Sequence, residues 1–504
     1  MLLLQLPSLA IIRSSLTRLA SNAAPSSPFL LSTRSRPVIL RMAMSNQPDR
    51  KRDPDSSVIN NGKPKYFRSG VISFQELLRR DGQVYFDRTG YIYKLHELDR
   101  FILFCRPRRF GKTLTVGMLE HFHGLQYADD HKSLYKGLDV QNDIDEENIK
   151  PGQYLVLTFD FSTFKASQDL AEMDQHLTKI LNDSIEYFYE RYALFLGQKI
   201  SDLLEEIDEH YPDRSLGKCV RIVQRALQTQ EKKEIKGIYM LVDEYDAFCN
   251  RYLDLYDKKE IVWHDTPAEQ TFKSFWSAVK YWSTKGIDRV FITGISPLSL
   301  STAGGVFNVT RNVSFHEDLA GLCGLKNSEI ATALKEIGEH SKKISKDTIS
   351  SDKHLSEMTK SFNGYHFCKH TPVDNVYNTE TCLQYFQDIF DGGGAETADP
   401  AHSEVSKEFL HTTFATEPEL IKDCEKALEC RDDGDFTGLK YTTLPVNITL
   451  HDLKSASPKQ RRQSWHSLMV YFGGFTFHSE YPKKYLKIPN LVAASRITAV
   501  ITAK

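Results

Sequence analysis

Residues 101–114 read FILFCRPRRFGKTL. A run of bulky apolar residues, Phe101 to Phe104, stops at Arg106-Pro107, and a helix-compatible spacing (Leu114, Met118, Leu119) begins just after Gly111-Lys112-Thr113. This predicts a strand, a tight loop and a helix start. A helix N-terminus carries unpaired N–H groups and the positive end of the macrodipole, so a loop folded over it can hold phosphate oxygens. Gly111 permits close backbone approach, Lys112 can reach the β- and γ-phosphates, and the Thr113 hydroxyl can sit on Mg²⁺. The stretch reads as a nucleoside triphosphate site, with Arg106 where the usual pattern has glycine. An ordinary strand-to-helix turn with a solvated lysine is the competing reading.

A second, independent part decides between them. Residues 237–246, GIYMLVDEYD, form an apolar run ending in Asp243-Glu244, with Asp246 two further on. Carboxylates at the carboxyl end of a buried parallel strand lie beside the loop of a neighbouring strand, the ligand edge of open α/β sheets. Asp243 is expected to hold Mg²⁺ through water and Glu244 to polarise the attacking water. QYLVLTFDFSTF (153–164), with Asp160 near its end, and RVFITGISPLS (289–299) are further buried strands, and the long helical connections suit parallel pairing. The expected fold is a three-layer α/β P-loop NTPase domain with a parallel sheet, of the catalytic-glutamate class, followed by a helical C-terminal region.

RPRRFGKTL, followed by LVDEYDAF, FITGIS and FNGYHF, resembles the AAA-ATPase-like family of P-loop proteins, whose loop is Arg-Pro-Arg-Arg-Phe-Gly-Lys-Ser/Thr. Arg106 matches that pattern. The resemblance covers about residues 70–390 and continues weakly to about 495. It implies Mg²⁺-dependent ATP binding and hydrolysis, with ATP preferred because no guanine-reading Asn-Lys-x-Asp element is present. The cofactor-binding residues it marks are Arg108, Arg109, Phe110, Gly111, Lys112, Thr113 and Leu114, so the basic run 106–109 is taken to serve phosphate. Thr113 and Asp243 are the metal residues, and Glu244, Lys112 and Thr293 the catalytic ones. Thr293 is the sensor candidate at the end of the strand between the phosphate-loop and Mg²⁺ strands, Ser296 the second, and a plain strand cap is the alternative for both. Phe86-Asp87-Arg88-Thr89 resembles a family element that frames the nucleotide, whereas its residues alone read as a surface turn. Arg311 is a candidate γ-phosphate finger. In bacterial members a segment similar to 466–495 precedes a restriction-endonuclease-like nuclease; no such domain is expected before Lys504, hence no cleavage activity.

The 504 residues, 40% hydrophobic and 26% charged, suit two or three globular domains. A net charge of −2 gives no global field toward nucleic acid, and the eight scattered cysteines read as reduced thiols of an intracellular protein. Residues 1–48 hold no acid, five Arg and nine Ser, and read as a transit peptide or a disordered tail; 49–66 read as a linker. Residues 67–320 are expected to form the ATPase-like domain, 321–390 a helical lid-like module, and 391–504 an α-rich region. No apolar run approaches the ~18–20 residues that span a bilayer. The protein is expected to be soluble, in mitochondria if the leader is an import signal and otherwise in the cytoplasm, with ATP as ligand and a homo-oligomer as one arrangement. Rival functions are a nucleotide-dependent switch or scaffold, and a nucleic-acid-processing or mobile-element-associated factor.

Overall fold

The computed structural model describes residues 67, 73–79, 83–164, 169–229, 234–250, 266–298, 310–340, 351–369, 373–392, 405–432, 438–441, 443–449, 451–478 and 484–503. The leader, the whole of the linker 49–66 and residues 301–309, which read as a glycine loop, lie outside the described residues. Residues 54–504 form one compact unit.

The chain opens with helices α1 (Phe74–Arg79) and α2 (Tyr91–Glu97), then strand β1 (Phe101–Cys105) and helix α3 (Lys112–His123). Next come β2 (Tyr154–Asp160), α4 (Leu170–Leu196), α5 (Pro212–Thr229), β3 (Gly237–Asp243), α6 (Pro267–Trp282), β4 (Ile287–Gly294) and the short β5 (Arg311–Asn312). These strands form one sheet in the order β2-β3-β4-β1-β5, with every pair parallel. β4 therefore separates β1 from β3, and the carboxyl ends of β1, β2, β3 and β4 share one edge.

Alternation along the strands builds two cores. Leu103, Leu157, Met240, Val242 and Ile292 face the side packed with α4, α5 and α6, whereas Ile102, Phe104, Val156, Leu241 and Phe291 face the side of α1 and α3. Both faces are covered, which is why these strands read as continuous apolar runs. Phe272, Phe275, Trp276 and Val279 of α6 are buried, as their helical spacing predicts. Helix starts are capped by side chains that accept first-turn N–H groups: Asp169 for α4, and Thr266, followed by Pro267, for α6.

The C-terminal part contains α7 (Asn327–His340), α8 (Ser351–Phe362), α9 (Thr379–Phe390), α10 (Lys407–Thr416), α11 (Glu419–Asp432), α12 (Pro458–Tyr471) and α13 (Leu491–Thr502). It also holds a small antiparallel sheet of β6 (Leu439–Lys440), β7 (Thr476–Phe477) and β8 (Tyr485–Lys487) in the order β6-β8-β7. The α4–α6 core continues into α10–α13 through Phe409, Trp465 and Ile497.

Three local expectations are corrected. VYFDRTGYIYKL (84–95) reads from its residues as a strand-turn unit, but Tyr91–Glu97 is helical, with Ile92 and Leu95 on one buried helical face. The acidic stretch 129–150, whose composition reads as a loop, contains two short helices, His131–Leu134 and Val140–Asp145, anchored by buried Leu134 and Val140. The segment Phe86–Thr89 is no surface turn: Phe86 and Thr89 are buried, and Arg88 pairs with Glu329 of α7 at 2.6 Å.

Candidate nucleotide site

β1 delivers the loop 106–111 to the sheet edge, and Gly111 at φ +95° starts α3. A side chain at Gly111 would be strained by that φ, although space is open there: the nearest atom to a Cβ would be Thr379 Oγ1 at 4.0 Å. Phe110 is buried edge-on against Tyr365 and Phe367, so the FNGYHF motif forms a floor under the loop. Lys112 is buried with its Nζ donating to the Pro107 carbonyl at 3.0 Å. Thr113 is exposed at the first turn.

Arg106 behaves unlike its neighbours. It is fully buried, and its guanidinium donates to the carbonyls of Cys105 (3.0 Å), Ser314 and Leu319 (3.0 Å). It also lies over the rings of Phe104 and Phe367, 4.3 and 4.2 Å from their centroids. Burial lowers its pKa to about 10. The assignment of the whole basic run to phosphate is therefore corrected: Arg106 points into the protein and ties β1 to the segment after β5, while Arg108 and Arg109 are exposed.

The turn after β3 divides its acids in the same way. Asp243 is buried, and burial pushes its pKa up to about 6, with a hydrogen bond from the Thr113 side chain and the charge of Lys112 acting in the opposite direction. Glu244 follows in a left-handed conformation, φ +46°, which costs a non-glycine residue energy and is found where a side chain has to be aimed. Burial raises its pKa too, against the pull of Lys112. Asp160, paired in register with Asp243 on β2, adds negative charge to both. Asp246 points inward. Its carboxylate accepts from the N–H groups of Ile295 (3.0 Å) and Ser296 (2.7 Å) and from Asn250 Nδ2 (2.8 Å), fixing the turn after β4. Gly294 is needed there, because a Cβ would strike Asp246 and the Tyr245 ring.

The structure thus brings Lys112, Thr113, Asp243 and Glu244 together at one edge. Thr293 lies at the end of β4, fully buried, with its hydroxyl donating to the Phe104 carbonyl at 2.8 Å. Ser296 is buried on Asp246. Arg311 is not brought to the site: it pairs with Ile102, near the opposite end of β1, and its guanidinium is 3.2 Å from Asp99. What the spacing of single motifs did not reveal is the second wall. Asn378 donates to the Arg108 carbonyl (3.2 Å), Glu380 N to Arg109 (3.1 Å) and Thr379 Oγ1 to Phe110 (3.0 Å). The signal was present as a helix cap, since Asn378 Oδ1 accepts from Thr381 N, but nothing in sequence tells which loop such a cap will meet.

The donor set fits Mg²⁺, which keeps most of its waters and takes one or two carboxylates with the substrate's phosphates: one hydroxyl and one buried carboxylate share this corner. Among the described residues no group of three His, Cys, Asp or Glu side chains could hold a metal by itself.

Residues 68–303 match the model of a family described as predicted AAA-ATPase. A curated relative, an uncharacterized protein in the vnfD 5′ region of Azotobacter chroococcum mcd 1, is 31% identical over 102 residues. The match takes in 20% of this chain and 18% of that protein. No described helix is long and apolar enough to cross a membrane.

Proposed function

We propose that the protein binds ATP and hydrolyses it with Mg²⁺. The observation that carries this reading is the meeting of Lys112 and Thr113, at the start of α3, with Asp243 and Glu244, at the end of β3, two segments more than a hundred residues apart in sequence. Bound Mg²⁺ would neutralise charge on the β- and γ-phosphates, with Thr113 and Asp243 as its protein partners. Lys112, released from the Pro107 carbonyl, supplies a positive charge to the phosphates, and loop N–H groups add donors for the charge that grows there. Glu244, held beside Lys112 with a raised pKa, orients the attacking water and takes up its proton. Thr293 and Ser296 hold the sheet edge in register rather than offering free hydroxyls.

The experiment is phosphate release from ATP with Mg²⁺ by residues 45–504, beside Lys112→Ala and Glu244→Gln. Turnover that both variants abolish, with Glu244→Gln still binding ATP, supports the reading. Binding without turnover in the wild type moves it to the nucleotide-dependent switch, and absence of binding overturns it.

A further inference from the structure

The loop that would cradle phosphate is held from behind by a part of the chain beyond the family match. The carbonyls of Arg108, Arg109 and Phe110 are taken by Asn378 Nδ2, Glu380 N and Thr379 Oγ1, all at the first turn of α9, and Gly324 N also reaches Phe110 O at 3.3 Å. Gly324 is itself held by Arg88, whose guanidinium donates to its carbonyl at 2.7 Å. In a planar trans peptide the C=O and the following N–H point in opposite directions. Each carbonyl drawn toward α9 therefore turns an N–H away from it: those of Arg109, Phe110 and Gly111. Among the described residues none of these three N–H groups donates to a protein acceptor. Arg109 at φ +68° and Gly111 at φ +95° curve the three into a concave row, the kind of backbone nest that binds anions.

We infer that Asn378, Thr379 and the Glu380 N–H are positioning residues for the phosphate loop. In a glycine-opened loop, backbone freedom lets the N–H groups converge; here external donors impose that convergence on Arg-Arg-Phe. The inference rests on the ATP reading above and extends it, because affinity linkage is reciprocal. If α9 shapes the loop, a nucleotide on the loop stiffens α9 and the module built on it.

The test is calorimetric titration of the full chain with ATP and Mg²⁺. Asn378→Asp keeps the cap acceptor for α9 and removes the donor to Arg108. Thr379→Val removes the hydroxyl at nearly constant shape, and Thr379→Ser restores it. Each of the first two is expected to weaken ATP about 3- to 10-fold, the typical reach of one neutral hydrogen bond, and Thr379→Ser to return within about twofold of wild type. Amide exchange over residues 376–392 is expected to slow on adding ATP to the wild type and not to Lys112→Ala. A lower melting temperature with unchanged ATP affinity in the folded variants would mean a structural role alone and overturn the inference. So would exchange over 376–392 that ignores ATP. A wild type that binds ATP beside variants within twofold of it sinks the inference and leaves the ATP reading intact; a wild type that binds no ATP sinks both.

Discussion

The loop after β1 and the turn after β3 treat their charges alike and their partners differently. Each sends one charged residue inward, Arg106 from the loop and Asp246 from the turn, and leaves the others at the sheet edge. The buried carboxylate is met by backbone N–H groups and an amide, the buried guanidinium by three backbone carbonyls and two rings. The edge residues Lys112, Asp243 and Glu244 have fewer fixed partners. A charge satisfied by backbone stabilises the fold; a charge left with capacity is available to a ligand.

Arg106→Gly puts that division under the greatest strain. It recreates a glycine-opened loop, yet it strands three carbonyls and empties the space between Phe104 and Phe367. The expected loss is about 3–5 kcal/mol in urea unfolding. A stable, active Arg106→Gly protein would show the inward arginine to be dispensable.

The two acids of the turn give the next contrast. Glu244→Gln is expected to lower turnover on the order of 10²-fold or more with stability nearly unchanged. Asp246→Asn faces a side-chain N–H₂ toward backbone donors and is expected to cost about 2–3 kcal/mol of stability. Measuring turnover and unfolding on both proteins checks the assignment, and equal behaviour would erase the distinction between edge and interior.

Asp243 sharpens it further, because a site residue is here predicted to harm the fold. Its folded pKa, about 6, lies above the ordinary Asp value, so its ionised form at neutral pH is destabilising. Asp243→Asn is expected to raise stability by about 1–2 kcal/mol while removing the Mg²⁺ dependence of nucleotide binding. Thermal unfolding with and without Mg²⁺ reads both effects.

The last contrast concerns the ring cluster around α3. Burial lowers the pKa of His96 and His121 to about 4 and that of His123 and His131 below the usual value. Below pH 6.5 the unfolded chain takes up protons that the folded protein refuses, so stability rises with pH across that window. It is expected to fall progressively from pH 6.5 toward 4, and denaturation midpoints at pH 7, 5.5 and 4.5 provide the check. His121→Phe is expected to flatten the slope.

The sheet was legible because buried parallel strands carry continuous apolar runs, and the edge residues because loop, helix start and acidic strand end occur in a fixed order. Lys112, Thr113, Asp243 and Glu244 converge where that order places them. Arg106 was misread because a basic run has the same letters whether its side chains point outward or inward. The same holds for Asn378-Thr379-Glu380, which reads as a helix cap and turns out to face the loop, and for Arg311, whose position depends on strand register.

By itself the sequence determined local and periodic features: which segments are strands, where α3 begins, and which charged groups end the strands. Hydrophobic periodicity and cap chemistry act over a few residues, so they are written locally. Tertiary structure alone decided which charges were buried and what held the loop. Burial, register and the meeting of residues 108–110 with 378–380 are set by how distant elements pack, and no short stretch contains that information.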